Sequence, residues 1–387
     1  MTKRVVYFDY QSAKPVDPRV LESMMPFFSE IFGNPSALHV VGDDATKALD
    51  QSRVKIADFI GADKSEIIFT SSATESNNIA LIGFALRNLN KGNHIIIGES
   101  EHISIHNIAK YLQKQGFVIS YLPLDQYGRV KVNKLEQKIT DKTILVSVQL
   151  ANNEIGTIQP LEKISEITSE RKIALHSDVV AAEGLLDIDI KKLKVDLMSL
   201  SSNDIYGPKG VGALYVRKGI KLNPLIIGGG QEEGLRSGSE NVPGIVGFAK
   251  AAEIIKSEWR EEVERFKKYR DELIREILKI PKAYLNGHSI ERLPNNAHFR
   301  FEGIEGESIL LSFKDLGIAV STGSACSSKT LEPSHTLIAC GLLHEEAHGS
   351  LELTVGRYTT YDDVKRVIDV TPGIVERLRK LSPIYKP

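Results

Sequence analysis

Cysteine is scarce in this chain, which limits the kinds of site it can build. Two cysteines, Cys326 and Cys340, occur among 387 residues. They are too few for a disulfide framework, and no Cys-x-x-Cys motif or cluster of cysteine with histidine indicates a structural zinc site. We therefore expect a protein of a reducing compartment, the cytoplasm.

An excess of charge and a long apolar stretch are also absent. Lys plus Arg number 49 and Asp plus Glu number 50, so the charge balance does not favour binding to nucleic acid or to an anionic membrane. No segment approaches the ~20 uninterrupted apolar residues of a membrane span. The first residues also lack an apolar segment long enough for a signal peptide. We expect a soluble globular protein.

Short apolar runs alternate with longer helical patterns through the first two-thirds of the chain. Several runs are apolar throughout, which is typical of strands buried on both faces of a sheet. The alternation predicts an α/β fold with a mostly parallel sheet covered by helices. The predicted strands are 66–70, 94–98, 117–122, 143–149, 173–177, 196–200 and 212–216, and the main predicted helices are 78–90, 105–115 and 161–170.

The pattern changes near residue 250 and predicts a second, smaller domain. Residues 247–280 form a long amphipathic pattern that places Trp259, Phe266 and Leu273 on one stripe. Shorter strand and helix patterns follow it and indicate an α+β domain. We predict a large domain of residues 13–255 and a small domain of residues 1–12 and 256–387.

Residues 70–75 (TSSATE) follow a predicted strand and open a predicted helix. Small hydroxyl residues at a helix start leave backbone N–H groups available, which suits a phosphate group. Ordinary N-capping accounts for the same residues equally simply. The segment is therefore a candidate phosphate site with a structural alternative.

Asp178 ends the predicted strand 173–177. Ligands of open α/β sheets bind at the carboxyl ends of the strands, where a carboxylate can pair with a protonated pyridine nitrogen. An aspartate that only caps a loop would occupy the same place. Spacing alone does not separate these two roles.

Cys326 lies in the polar segment 321–328 (STGSACSS), whereas Cys340 lies in the apolar run 337–342. A cysteine among glycine and serine is accessible to reagents and partners more often than one in an apolar run. We therefore expect Cys326 to be the reactive thiol and Cys340 to be inert and buried. A lone cysteine also serves simply as a small packed residue.

These segments occur in order with FGNPSALH, ANNEIGTIQP, GGGQEEGLRSGSENVP and TVGRYTT. Together they resemble the cysteine desulfurases of the NifS/IscS type, in the class-V aminotransferase superfamily, along nearly the whole chain. The resemblance implies the pyridoxal-phosphate (PLP) transferase fold of type I. That fold has a large, mostly parallel seven-stranded sheet domain and a smaller α+β domain.

The resemblance also implies which residues hold the cofactor. His102 would stack on the pyridine ring and serve in catalysis, and Asp178 would pair with the ring nitrogen. Catalytic residues drawn from two chains imply a homodimer. The implied cofactor-binding residues are Ala73, Thr74, Asn153, Asp178, Ser201, Asn203, Asp204 and, from the second subunit, Ser239.

For the substrate, L-cysteine, the resemblance implies a second group of residues. Arg357 would hold the carboxylate as a bidentate fork, with Asn34 nearby. Cys326 would attack the substrate sulfur and carry the resulting persulfide. The acceptor would be an IscU-like scaffold protein that assembles iron–sulfur clusters.

The chain departs from this family at the position of the lysine that binds the cofactor covalently. The family's Ser-Gly-His-Lys segment reads Ser-Ser-Asn-Asp here and ends in Asn203 and Asp204, and Ala181 replaces a glutamine. Lys209 matches a separate lysine and is no substitute. We therefore expect PLP or pyridoxamine phosphate to bind without a covalent bond. The negative charge of Asp204 favours the amine form.

Two other interpretations remain open. The chain could be a catalytically silent docking partner of the cluster scaffold, with Cys326 as a sulfur acceptor or as a metal or cluster ligand. It could also cleave a related substrate such as selenocysteine. The lost lysine favours a silent protein, whereas the retained Asp178, His102 and Arg357 favour continued use of the cofactor.

We predict that borohydride reduction of the protein with PLP leaves no lysine–cofactor adduct at the active site, because the amine that forms it is absent. Mass spectrometry of the reduced and digested protein measures this. An adduct mapped to Lys209 or to another active-site lysine would contradict the prediction.

Overall fold

A seven-stranded sheet forms the centre of the first two-thirds of the chain. The computed structural model describes residues 5–322, 333–383 and 385. The strands are β1 Val6–Tyr7, β2 Ile67–Thr70, β3 His94–Gly98, β4 Val118–Leu122, β5 Thr143–Ser147, β6 Ala174–Asp178, β7 Leu197–Ser201, β8 Gly212–Val216, β9 Ala283–Leu285, β10 Asn296–Phe301, β11 Ile318–Ala319 and β12 Ser350–Thr354.

Helices cover the sheet and connect its strands. No helix of the described residues has both the length and the apolar character needed to cross a membrane. The helices are α1 Pro18–Met24, α2 Pro26–Ser29, α3 Val40–Ile60, α4 Ala73–Asn78, α5 Phe84–Arg87, α6 Ile103–Lys114, α7 Val132–Lys138, α8 Leu161–Glu170, α9 Ile190–Leu193, α10 Val242–Ile277, α11 Gly306–Asp315, α12 His335–Ala339, α13 His344–His348 and α14 Tyr361–Leu381.

The large sheet has the strand order β2-β8-β7-β6-β5-β3-β4. Its neighbouring strands are parallel except at β8, which runs antiparallel to both β7 and β2. Strands β3, β5, β6 and β8 are buried along their whole length. In β3, Ile96 packs into the core on one face while Ile95 and Ile97 pack into the core on the other. The predicted α/β fold with a mostly parallel sheet is confirmed.

The helix after β2 begins earlier than the apolar pattern indicated. The predicted helix spanned 78–90, whereas the helical segment starts at Ala73, passes through a π-helical turn at Ile79–Gly83 and ends at Arg87. Ser72 is its N-cap, because the Ser72 Oγ accepts a hydrogen bond from the Glu75 N–H at 3.2 Å. Capping therefore sets this helix start, which lies directly at the end of a sheet strand.

Two small sheets follow the large one. The antiparallel sheet has the order β12-β10-β9, and β1 pairs in parallel with β11, so the first residues pack against the last third of the chain. We propose that the chain divides near residue 255, because the large sheet lies wholly before that position and the antiparallel sheet wholly after it. Helix α10 crosses this position without a break. It begins at Val242, where Asn241 is the N-cap and Pro243 lies in the first turn.

The free edge of β2 is closed by a buried ion pair. Arg53 of α3 and Glu232 form two hydrogen bonds, at 2.7 and 2.8 Å. The same Glu232 carboxylate accepts the Phe69 N–H at 2.8 Å, and Arg53 donates to the Ile67 carbonyl at 2.7 Å. The pair thus satisfies backbone groups that an edge strand would otherwise leave open.

We predict that Arg53→Met lowers the free energy of unfolding by about 3–5 kcal/mol, because it leaves the Glu232 carboxylate buried without its partner. Urea denaturation measures the change. The matched control is Lys55→Met on the same helix, which removes an exposed pair with Glu253 and should cost less than about 1 kcal/mol. Equal losses of unfolding free energy in the two variants would show that the pair at the edge of β2 stabilises the protein no more than an exposed pair does.

Candidate active site

One cavity of about 420 Å³ lies where the parallel strands end. Its walls come from the segments that follow β2, β3, β5, β6 and β7. The carboxyl ends of parallel strands meet at one edge of a sheet, so residues far apart in the sequence converge there. The lining residues are Gln11, Ser12, Ala73, Thr74, Asn77, His102, Gln149, Ala151, Asn153, Glu154, Asp178, Val180, Ala181, Asn203, Asp204, Ser321, Thr322 and Glu352.

One end of the cavity has the features of an anion site. Ala73 and Thr74 line it at the start of the helical segment that follows β2. The first N–H groups of a helix have no partner within the helix, and the helix dipole favours negative charge at this end. The segment TSSATE therefore supplies both a capped helix and a place for a phosphate, so capping and phosphate binding are compatible here.

A chain of hydrogen bonds joins His102 to Asp178 across the cavity wall. The His102 Nδ1 contacts the Ser104 Oγ at 2.8 Å. The Asn77 side-chain amide donates to the same Oγ at 3.1 Å and to the Asp178 Oδ2 at 2.8 Å. The other Asp178 oxygen accepts the Val180 N–H at 3.1 Å. The acid and the imidazole are therefore held in fixed positions relative to each other.

Asp204 is buried in the cavity wall, in the turn after β7. Its side chain is 7% exposed, and burial raises its pKa while the charge of Lys14 lowers it. The Lys14 amine donates a hydrogen bond to the Asp204 backbone carbonyl. The sequence argument treated Asp204 as an isolated negative charge, and the structure shows a buried lysine amine beside its backbone. No spacing rule could find Lys14, because the contact joins residues far apart in the chain.

The cavity residues fit a pyridine phosphate held without a covalent bond. Asp178 is a carboxylate for a ring nitrogen, His102 lies on the wall, and Thr74 lies at the anion end. The buried Asn203 Oδ1 has no hydrogen-bond partner in the structure, so an unused acceptor lies on the same wall. Among the described residues that line the cavity there is no lysine. This donor set would hold the cofactor while leaving its reactive carbon free.

Several predicted site residues lie outside this cavity lining. Asn34 and Ser239 are exposed, and Ser201 ends β7 with its N–H donated to the Glu183 carboxylate at 2.9 Å. Cys326 falls in residues 323–332, outside the described residues. The segment that carries it starts directly after Ser321 and Thr322, which line the cavity. The roles of all four residues remain predictions.

Arg357 is held by carboxylates of its own chain. Its Nη1 contacts the Asp17 Oδ2 at 2.5 Å and its Nε contacts the Glu262 Oε1 at 2.7 Å. The guanidinium also lies over the Tyr206 ring, 4.7 Å from its centroid. Arg357 therefore has to exchange these contacts in order to hold a substrate carboxylate, and its role stays a prediction.

Two buried carboxylic acids in the cavity wall were not singled out from the sequence. Burial raises the pKa of Glu154 to about 7 and raises that of Glu352 well above its usual range, with Glu154 adding to the second shift. The Ser334 hydroxyl donates to Glu154 at 2.6 Å. Glu154 belongs to the segment ANNEIG, and this motif could have identified it from the sequence. Glu352 had none, because its strand, Ser350–Thr354, carries no recognisable motif.

The fold and the cavity together define a class of protein. The strand ends of a mostly parallel seven-stranded sheet bring together a buried acid (Asp178), an imidazole on the cavity wall (His102) and the start of a helix (Ala73). This arrangement is that of the fold type I, PLP-dependent proteins.

Comparison with known proteins identifies the family. The class-V aminotransferase family pattern matches residues 6–367. The chain is 58% identical over 380 residues to cysteine desulfurase IscS 1 of Archaeoglobus fulgidus, covering 98% of this chain and 99% of the relative. It is similar to a solved NifS-like protein with a TM-score of 0.90 and 37% identity, covering 97% and 99% of the two chains. A structure described as SspA in complex with cysteine matches with a TM-score of 0.82 and 36% identity, covering 92% and 99%.

The chain therefore belongs to the class-V aminotransferase family and is a homologue of the IscS cysteine desulfurases. Proteins of this family depend on PLP. The resemblance and the fold class inferred from the sequence are confirmed.

Cys340 is partly buried after α12 and packs against two apolar clusters. Burial raises the pKa of its thiol to about 12. Because the thiolate is the reactive form, this raised pKa leaves little of the Cys340 thiol reactive near neutral pH.

We predict that an alkylating reagent modifies Cys326 much faster than Cys340 under native conditions. Mass spectrometry of timed samples measures the two rates, and labelling in denaturant provides the control in which both react. Equal native rates, or faster labelling of Cys340, would remove the basis for assigning the sulfur-carrying role to Cys326.

Proposed function

We propose that this protein takes sulfur from L-cysteine as a persulfide on Cys326 and passes it to a scaffold protein for iron–sulfur cluster assembly. The observation that carries the proposal is the convergence of Asp178, His102 and Thr74 in one cavity, at the edge from which the Cys326 segment departs. The near full-length similarity to IscS 1 supports the same reaction.

The overall reaction balances without a further reactant. The Cys326 thiolate attacks the substrate sulfur, an S–S bond forms and the substrate C–S bond breaks. The electron pair of that C–S bond stays with the substrate carbon, which takes up a proton and leaves as alanine. The bound cofactor supplies an electron sink for this carbon.

Asp178, His102 and Asn77 would act by holding the pyridine ring of the cofactor. A carboxylate against the ring nitrogen keeps that nitrogen protonated, and Asn77 fixes the carboxylate through its 2.8 Å hydrogen bond. His102 is oriented by Ser104, so its ring has a set position on the wall. Holding reacting groups in one geometry is a large part of the catalytic effect.

Asp204 limits the step that moves the Cα proton. A positioned general base contributes typically about 10²–10⁴-fold to such a step. A buried aspartate cannot form the covalent link that a lysine forms at this position. Burial also raises the pKa of a carboxylic acid, whereas it lowers the pKa of an amine, so the two groups differ as bases. Turnover by the natural chain should therefore be slow relative to a variant that carries an amine there.

We propose that the protein acts as a homodimer in the cytoplasm. Large apolar side chains are exposed on the segment around Asn34, among them Phe28, Phe32 and Leu38 at 60%, 67% and 103% exposure. A second copy would bury this surface and bring Ser239 towards the cavity of its neighbour. The scaffold would approach the Cys326 segment.

We predict that Asp204→Lys raises the release of alanine and sulfide from L-cysteine by about 10²-fold or more, because it supplies both a covalent anchor and a base. The new amine would lie beside Lys14, so the double variant Lys14→Met with Asp204→Lys should gain at least as much. Controls are Asp204→Asn, which removes the charge without adding an amine, and Asp204→Lys with Cys326→Ser, which removes the nucleophile.

Two outcomes would overturn parts of this proposal. If the lysine variants bind PLP covalently and release no alanine, the substrate pocket has diverged and the chain is a docking partner of the scaffold. If the natural chain already turns over as fast as the lysine variants, the role assigned to Asp204 is wrong.

A further inference from the structure

We propose that the protein binds the phosphate backbone of a double-stranded nucleic acid in a basic groove, on the edge of the large sheet opposite the candidate active site. The groove has a volume of about 1620 Å³. Its described lining shares no residue with the cavity that contains Asp178 and His102. The proposal therefore goes beyond the proposed function and does not depend on it.

The basic groove lies where the parallel strands begin. Residues at the starts of β3, β5, β6 and β7 line it, together with residues at the end of β8, which runs antiparallel to β7. Its cationic side chains come from separate segments, so the balance of 49 basic and 50 acidic residues in the whole chain does not reveal it. The cationic lining residues are Arg87, Lys91, Lys172, Lys191, Lys194, Arg217 and Lys221, and the acidic ones are Glu66 and Asp196.

Most of these cations have no acidic partner. Arg217 pairs with Asp196 at 2.5 Å, and the Glu66 carboxylate accepts the backbone N–H groups of Asp63 and Lys218. The other cationic side chains are exposed, and none of them forms an ion pair with a residue that the structure describes. The groove therefore presents an excess of positive charge to solvent.

The cations are spread along the sheet edge rather than gathered at one point. They follow the strand order, with Lys221 after β8, Lys194 before β7, Lys172 before β6 and Lys91 before β3. Neighbouring strands lie about 4.8 Å apart, so the row from β8 to β3 extends over about 19 Å. A small anion reaches only part of such a row, whereas a double helix carries one phosphate charge per about 1.7 Å of its axis. The row therefore fits a linear polyanion.

Two of these lysines occupy a backbone conformation that residues with a side chain rarely adopt. The φ angles of Lys172 and Lys194 are 56° and 51°. Glycine and asparagine adopt this left-handed conformation at a lower cost. Lysine at both positions keeps a cation in the groove although another residue would suit the backbone better.

Compensation of helix dipoles accounts for only part of the row. Cations are favoured near helix C-termini, and Arg87 and Lys191 lie in the last turns of α5 and α9. That effect falls off within the last turn of a helix. Lys91 and Lys221 lie outside the helices, so the dipoles do not explain them.

The composition of the groove favours a nucleic acid over a protein. Protein interfaces are depleted in lysine and enriched in arginine and aromatic residues, whereas lysine predominates here. The aromatic side chains of the lining, Phe84 and Tyr215, are 7% and 1% exposed, so neither ring is available for the stacking on bases that holds single strands. Contacts to phosphates alone suit the backbone of a double helix and carry no sequence information.

The first test measures, by fluorescence anisotropy, binding of a labelled RNA duplex and of a DNA duplex of the same sequence to the full-length protein. We expect binding to weaken steeply with salt, because each phosphate contact releases counter-ions and adds about 0.9 to the slope of log affinity against log salt concentration. Lys172→Asn and Lys194→Asn should each lower that slope by about 0.9, and the affinity about fivefold to tenfold at about 0.1 M salt. Asparagine suits the left-handed conformation, so urea denaturation should show no loss of stability in either variant.

Lys282→Asn is the matched control, because Lys282 is also left-handed, with a φ of 53°, and lies outside the groove. It should leave the slope and the affinity unchanged. The proposal is wrong if wild type binds neither duplex at low salt, if the two groove variants bind as wild type does, or if Lys282→Asn loses as much affinity as they do.

Competitors test the other occupants that a basic groove can have. Polyglutamate stands for an acidic protein, and vesicles of phosphatidylserine with phosphatidylcholine stand for an anionic membrane. Each should displace the labelled duplex poorly compared with unlabelled duplex at the same concentration of charge. Displacement by polyglutamate as strong as that by the duplex would show an acidic-protein site, and the same result with vesicles would show a membrane site. Either result would overturn the proposal.

A second measurement uses wild type alone. Lysines are acetylated with and without the duplex and read by mass spectrometry, and we expect protection at Lys91, Lys172, Lys194 and Lys221 and none at Lys282. Protection confined to lysines outside the groove would contradict the proposal. Because neither measurement uses PLP or L-cysteine, a failure here leaves the proposed function unaffected, and a failure of the proposed function leaves this proposal unaffected.

Discussion

The site depends on one constraint, that parallel strands buried on both faces bring their carboxyl ends to a single edge. Most of the cavity lining follows such an end: Ala73 and Thr74 after β2, His102 after β3, Asn153 after β5, Asp178 at the end of β6 and Asp204 after β7. The hydrogen bonds from Asn77 and Ser104 then fix the angles between groups that the sheet has already brought together. The sheet sets the positions of these side chains, and the hydrogen-bond network sets their orientations.

The same edge concentrates buried charge, and the structure handles it by pairing or by protonation. Asp178 accepts hydrogen bonds from the Asn77 amide and the Val180 N–H, whereas burial raises the pKa of Asp204 and the charge of Lys14 opposes that rise. Glu183 and Glu352 have no full counter-charge, and burial raises their pKa well above the usual range. Buried carboxylates without a partner favour the neutral form because an uncompensated charge is costly in a poorly solvated site. The cavity is therefore less negative than its number of acids indicates.

The sequence was sufficient for the fold and for part of the site. The strands could be read because residues buried on both faces are apolar throughout, as in β3 and β5. Short motifs at strand ends marked Thr74 and Asp178 as candidates, whereas His102 was assigned only through the resemblance to the cysteine desulfurases. Apolar periodicity alone placed the start of this helix late, at residue 78, whereas the segment TSSATE indicated the helix start that the Ser72 cap sets.

Contacts between segments distant in the chain could not be predicted from the sequence. Lys14 and Asp204 are 190 residues apart, and local patterns carry no information about such a pair. The ion pairs of Arg357 with Asp17 and Glu262 have the same origin. These long-range contacts place a lysine amine beside the backbone of residue 204 and hold the arginine assigned to the substrate.

Loss of the covalent link changes what controls the occupancy of the cavity. A covalently held cofactor stays bound whatever its free concentration, whereas a non-covalent one follows mass action. Its retention would then depend on the contacts proposed for Asp178 with the ring and for Thr74 with the phosphate. The sheet edge that brings these side chains together would therefore control how much cofactor the protein holds.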